Sequence, residues 1–255
     1  MQTAFVTGAS RGVGRGVAMA LADAGYRVFA TGRNIATATL PDTVTRLRCD
    51  HTNDEDTAAA FERAGGEIDI LVNSAWGGYE RMVENGQFTW TRPFWEQPMH
   101  RWSSMIDAGV RAAFVASAYA VRKMLPRRSG LIVNISFWPA RKYAGNAIYG
   151  IAKAATDKLT FDMAHELRSH SIAAISLYPG LVRTESVMQA AEAGWLDISN
   201  SESPEFAGRV IAALARDPKL MERSGTVCVA AQVALEMNVA DVDGRRPRPL
   251  TIESV

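Results

Sequence analysis

Tyr149 and Lys153 are the residues of this 255-residue chain whose types and spacing most readily carry proton chemistry. They lie four positions apart in a segment, about Ala147 to His170, where Leu159, Met163, Ala164 and Leu167 recur at helical spacing. Both therefore occupy one helix face. A free phenol titrates near pH 10, too high for useful exchange at neutrality, and an ammonium beside it favours the phenolate. The pair suits proton transfer to or from a substrate oxygen. By itself it reads more readily as a surface pair. What decides is whether other elements bring a reaction partner beside it.

The start of the chain offers such an element. Thr3-Ala4-Phe5-Val6 reads as a buried strand, followed by Thr7-Gly8-Ala9-Ser10-Arg11-Gly12-Val13-Gly14 with Gly16 just behind. Val13, Val17, Ala20, Leu21 and Ala24 then share one face of a helix that Gly25 stops. Glycines between a strand and a helix let the backbone approach a pyrophosphate, and the helix N-terminus supplies free N–H donors. The spacing is G-x3-G-x-G, not the common G-x-G-x-x-G. A second strand, Tyr26 to Thr31, leads to Gly32-Arg33-Asn34, where an acidic residue would bind a ribose 2′-hydroxyl. Arg33 stands there instead, and Arg11 lies in the glycine loop. Two guanidinium forks suit a 2′-phosphate, which favours NADP(H) over NAD(H). Asp50, ending a third strand from about Val44 to Cys49, can accept from an adenine amino group. It can also cap the helix from about Asp54 to Ala64, a role that Thr52, Asn53 or Asp54 fills equally.

Composition excludes several classes. A net charge of +1 without long basic runs gives no nucleic-acid footprint. The four histidines lack metal-ligand spacing, so no metal is expected. Cys49 and Cys228 fall in expected strands and read as buried thiols. No run approaches the roughly 20 apolar residues of a membrane span, and the first strand begins too early for a signal peptide. A soluble protein of the reducing cytoplasm is expected.

Strand and helix patterns alternate along the chain, through Ile68 to Val72, Gly130 to Ser136, Ile172 to Tyr178 and a last strand near Thr226 to Ala230. This predicts one α/β domain, a doubly wound Rossmann fold of about seven mainly parallel strands with helices on both faces. Residues 78–98 break the pattern with Phe88, Trp90, Phe94 and Trp95, and read as a wall over the site. A long helix is expected from about Met99 to Met124, a substrate lid over 182–203 and a tail over 231–255.

With these parts in order, the chain resembles the short-chain dehydrogenase/reductase family. The resemblance rests on the T-G-x3-G-x-G loop, Asp50, Asn73-Ser74-Ala75, Ser136-x12-Tyr149-x3-Lys153 and Pro179-Gly180-x-Val182-x-Thr184. Phe94-Trp95-Glu96, Ala164-His165-Glu166-Leu167-Arg168 and Asp241-Val242-Asp243-Gly244-Arg245 look most like its branch named dehydrogenase/reductase family member 1. The resemblance implies that Tyr149 exchanges the proton with a carbonyl or alcohol oxygen. Lys153 would lower its pKa and hold the nicotinamide ribose, and Ser136 would polarise the carbonyl. The nucleotide would rest on Gly8, Ser10, Arg11, Gly12, Val13, Gly14, Arg33, Asp50, Asn73, Ala75, Pro179 and Gly180, with Val182 and Thr184 at the carboxamide. Asp107 falls where the family usually has a water-binding Asn, and a carboxylate beside Lys153 would raise the lysine and tyrosine pKa values. Counted forward from the strand, Phe137 rather than Ser136 takes the serine position.

Trp76, Phe137, Trp138, Tyr143, Met188 and Trp195 near the strand ends suit an apolar carbonyl or alcohol substrate. The expectation is an NADP(H)-dependent carbonyl reductase, a homodimer or homotetramer. The alternative is a catalytically weak nucleotide-binding sensor or scaffold of the same fold.

Overall fold

A computed structural model describes residues 1–254. Seven parallel strands form the central sheet: β1 Thr3–Val6, β2 Arg27–Gly32, β3 Val44–Arg48, β4 Ile70–Asn73, β5 Gly130–Ile135, β6 Ile172–Tyr178 and β7 Val227–Val229. Their spatial order is β7-β6-β5-β4-β1-β2-β3. The order reverses between β1 and β4, which opens a crevice at the strand ends for a ligand. The strands read as near-continuous apolar runs because both faces are covered. In β1, Ala4 and Val6 enter one core and Phe5 the other, following the period of two.

The first core lies under α1 Gly12–Asp23 and the late helices Pro204–Leu214 and Ala230–Glu236, with Val17, Leu21, Phe206, Val210 and Ile211 fully buried. A Cβ on Gly16 would stand 2.1 Å from the Pro204 carbonyl carbon, so glycine sets how closely these helices approach. The opposite core joins Phe5, Phe61 and Leu71 to α2 Asp54–Ala64, the long helix ending at Met124 and α4 Ala147–Leu167. Phe5 and Phe61 stack with centroids 4.1 Å apart. Asn53 caps α2, its side chain accepting from the N–H groups of Glu55 and Asp56.

The long helix expected over 99–124 forms, as α3, with an unusual middle. It runs from α-helical His100–Trp102 through a π-helical stretch, Ser103–Arg111, to α-helical Ala112–Met124. The wider turn changes which side chains face the sheet. Residues 78–98 are more ordered than their pattern predicts. Val83–Glu84 and Gln87–Phe88 pair as an antiparallel hairpin across Asn85-Gly86, both at positive φ. Asn-Gly is the signal for that turn. Within 182–203 a helix, α5 Glu185–Glu192, has no buried residue. The tail folds back on the same chain: buried Asp241 accepts from the Ser203 N–H at 2.7 Å and from Arg183 at 3.3 Å. Cys49 and Cys228 are buried free thiols. Among the described residues no helix is long and apolar enough to cross a membrane.

Candidate active site

The glycine loop is shaped by close approach. Gly8 has a φ of +67° and its position leaves no room for a Cβ, which would stand 2.6 Å from Ala75 Cα. Gly14 packs on the Gly8 carbonyl, where a Cβ would lie 2.4 Å away. Gly8, Ser10, Arg11, Arg33, Asp50 and Ala75 line one cleft of about 220 Å³ at the ends of β1 to β4. The Asp50 carboxylate accepts from both the N–H and the hydroxyl of Thr52. Burial works against its ionisation, but the Thr52 donors and Arg33 outweigh it and lower its pKa. Beneath lies a residue the sequence reading missed: His51, buried, its Nε2 2.6 Å from the Thr31 hydroxyl and its pKa lowered to about 4 by burial.

Two carboxylates from elsewhere in the chain reach the glycine loop and the helix it opens. Glu80 Oε1 lies 3.0 Å from Arg11 and 3.1 Å from Arg33. Glu185 accepts from the Gly12 N–H at 3.2 Å and pairs with Arg15 at 3.0 Å. Thr184, beside Gly12, caps α5 by accepting from the Val187 N–H. Val182 lies in the short strand Leu181–Val182, just past Pro179-Gly180.

Tyr149 and Lys153 meet at the neighbouring strand ends. Both are buried on one face of α4, which Asn146 starts by accepting from the Tyr149 N–H. The Tyr149 ring lies 5.8 Å from Trp76, 5.9 Å from Tyr79 and 5.4 Å from Trp90, centroid to centroid. Its hydroxyl is 2.7 Å from that of Tyr79. Burial pushes the phenol well above its ordinary pKa. Lys153 Nζ donates to the Ile135 carbonyl at 3.1 Å and sits 4.1 Å from the centre of the Trp76 ring. Burial brings its pKa down to about 8, against the charge of Asp157 one turn further along α4. Asp157 in turn accepts from the Tyr178 hydroxyl.

Several expected residues stand elsewhere. Asp107 lines an open depression with Asp54 and Arg111 that adjoins the glycine-loop cleft at Asp50 and Thr52, and the carboxylate acting on Lys153 is Asp157. The π-helical stretch turns Asp107 to that side and leaves Gly109 facing Trp76, where a Cβ would lie 2.8 Å from the ring. The expected rise in the Lys153 pKa is thus a fall. Ser136 is buried, and its hydroxyl donates to the Lys153 main-chain carbonyl at 3.3 Å. Phe137 takes the adjoining position against the cluster of Trp90, Met105 and Tyr149. Asn73 faces the protein interior, donating to Asn134 at 2.8 Å and Ser117 at 3.0 Å. That network runs on through Thr160 to Ser176, tying β4, β5, α4 and β6. Of the expected apolar lining, Trp76 and Phe137 join the cluster, Trp138 packs on Tyr178, and Tyr143 and Trp195 are exposed.

The family model for short chain dehydrogenase matches residues 2–194. The chain belongs to that family. Two relatives of this short-chain dehydrogenase are described as "Dehydrogenase/reductase SDR family member 1", from Mus musculus and from Homo sapiens. Each is 36% identical to it, over 96% of this chain and 84% of theirs. They place it in that branch, among oxidoreductases that use a nicotinamide cofactor. A solved short chain dehydrogenase/reductase family protein superposes with a TM-score of 0.72 at 26% identity, covering 89% of this chain and 94% of its own. The donors fit such a cofactor, because Glu80 and Glu185 already hold the guanidinium pair and helix N–H that would otherwise take phosphate.

Proposed function

We propose that this short-chain dehydrogenase reduces an apolar ketone or aldehyde with NADPH, reversibly. The observation that carries the reading is the burial of Tyr149 beside Lys153 on one helix face, next to the glycine-loop cleft. When bound, the cofactor supplies hydride to the carbonyl carbon. Tyr149 delivers the proton to the oxygen, and its raised pKa keeps that proton in place until charge develops there. Lys153, with a pKa of about 8, is mostly ammonium at neutrality and offsets the phenolate left behind. Burial therefore favours the reductive direction.

Arg11 and Arg33 support NADP(H) over NAD(H), and Gly12, Gly14, Thr184 and the backbone at Val182 would hold the remaining cofactor. The aromatic rings around Tyr149 suit a substrate without charge. Exposed Phe114 and Phe161, on the two long helices α3 and α4, support a homodimer or homotetramer. Light scattering tests this, with Phe161→Glu expected to yield monomers; a monomeric wild type removes it. A nucleotide-binding sensor is the second reading, favoured by Phe137 at the serine position. Turnover of a carbonyl panel with NADPH, lost in Tyr149→Phe, separates the two. A protein that binds NADPH and reduces nothing would leave the sensor.

A further inference from the structure

A carbonyl held for reduction needs a second hydrogen-bond donor besides the proton donor, placed where oxyanion charge develops. The end of β5 does not present one. The Ser136 hydroxyl is spent on the Lys153 main-chain carbonyl, beneath the surface of the site. Phe137, the next residue, brings carbon to the Tyr149 cluster. The donor nearest to Tyr149 comes instead from the loop after β4, where the Tyr79 hydroxyl lies 2.7 Å from that of Tyr149. Tyr79 as a residue is 53% exposed, yet its hydroxyl pairs with that of buried Tyr149, so the residue forms part of the wall with its polar tip turned inward. Trp76 and Trp90 flank it, with centroids 5.9 Å and 5.7 Å away.

We infer that Tyr79 is a catalytic residue that donates a hydrogen bond to the substrate oxygen, the role expected of Ser136. The inference rests on the reductase reading of the Tyr149 site. The carbonyl oxygen enters between the two hydroxyls and replaces their mutual bond, accepting from each at about 2.7 Å. Hydride from the reduced nicotinamide dinucleotide adds to the carbonyl carbon, and the π pair moves to oxygen. That oxygen takes the Tyr149 proton, leaving an alcohol, an oxidised dinucleotide and a phenolate that regains its proton from solvent. Tyr79 keeps its own proton throughout, because burial holds its phenol above the ordinary range. The exposure of Tyr79 lets it move outward as substrate enters, which Ser136 in its buried position cannot do.

The test uses the full chain with NADPH and a panel of apolar ketones and aldehydes. Tyr149→Phe should abolish turnover, Tyr79→Phe should lower kcat about 100-fold with KM little changed, and Ser136→Ala should stay within about twofold. Phenylalanine keeps the ring contacts, so the loss reports the hydroxyl alone. A second readout needs no turnover: in protein labelled at tyrosine 13Cζ, Tyr79→Phe should move the Tyr149 titration to higher pH, since the neutral Tyr79 hydroxyl, 2.7 Å away, donates to the Tyr149 phenolate. If Ser136→Ala is the crippled variant and Tyr79→Phe is not, Tyr79 is not the donor, although the reductase reading stands. An unmoved Tyr149 titration would likewise remove the hydroxyl pair. Wild-type turnover in Tyr149→Phe, or no turnover of any carbonyl, would overturn the reductase reading and the role of Tyr79 with it.

Discussion

Glu80 Oε1 stands 3.1 Å from the Arg33 guanidinium, the group expected to read the ribose phosphate of NADPH. The same oxygen lies 3.0 Å from Arg11, so one carboxylate oxygen pairs with both cations. A dinucleotide phosphate at that place must displace it. All three side chains are well exposed, and such pairs contribute only about 0–1 kcal/mol each. Glu80→Gln should therefore tighten NADPH by about two- to fivefold and leave NADH nearly unchanged. Arg33→Ala should weaken NADPH by about tenfold or more. Tryptophan fluorescence titration measures both; equal responses to the two nucleotides would show that this cleft does not read the phosphate.

Asp157 and Asp107 make opposite predictions about Lys153. Asp157 is the charge that acts on the ammonium, against burial, and it lies one turn further along the same helix. Asp157→Asn removes support for the charged form, so the Lys153 pKa should fall below about 8. The alkaline loss of reductase activity should then begin at lower pH, by up to about one unit. Asn retains an oxygen that can accept from the Tyr178 hydroxyl, so the helix face stays intact. Asp107→Asn should leave the profile where it was. A shift in Asp107→Asn without one in Asp157→Asn would reverse the assignment.

The difference between those two aspartates shows where the sequence was legible. Local periodicity and turn chemistry gave the seven strands and the one helix face shared by Tyr149 and Lys153, because each depends on neighbours within a few turns; the burial of that face was not legible, since the pair alone reads as a surface pair. Asp107 was misplaced because it lies in a π-helical stretch, and counting residues assumes an α-helical turn. Asn73 was read as a cofactor contact, yet its partners Asn134 and Ser117 are 61 and 44 positions away. Tyr79, Glu80 and Glu185 escaped for the same reason: their importance comes from contacts across the fold. The Asn85-Gly86 hairpin was the exception, a local signal present in the sequence and passed over.

Gly16 sets the distance between α1 and the helix Pro204–Leu214. Besides the carbonyl carbon at 2.1 Å, a Cβ there would meet the Pro204 oxygen at 2.2 Å, and both are backbone atoms that cannot rotate away. Gly16→Ala, which favours an isolated helix, should instead destabilise the protein by about 2–3 kcal/mol. Urea denaturation tests this. A variant as stable as the wild type would mean that the two helices part without cost.

Glu202 gives a pH dependence of stability whose window can be isolated. Its carboxyl is fully buried against Gly180. Burial, with the charge of Asp241 in the same direction, brings its pKa up from 4.5 to about 8 against the pull of the Gly180 N–H and Arg183. The folded state then holds a proton that the unfolded chain releases between pH 4.5 and 8, so stability falls as pH rises through that range. His51 acts with the opposite sign: its pKa is lowered from 6.5 to about 4, and stability falls as pH drops through that interval. The two nearly cancel where they overlap. From pH 6.5 to 8 the Glu202 contribution stands free of His51, at up to about 1.4 kcal/mol per pH unit. Glu202→Gln keeps the shape and removes the titration, so its unfolding free energy should be flatter than the wild type's across that interval. The decline in His51→Gln should persist there, with the acid-side loss diminished. Should the slope from pH 6.5 to 8 survive in Glu202→Gln, the buried carboxyl is not its source.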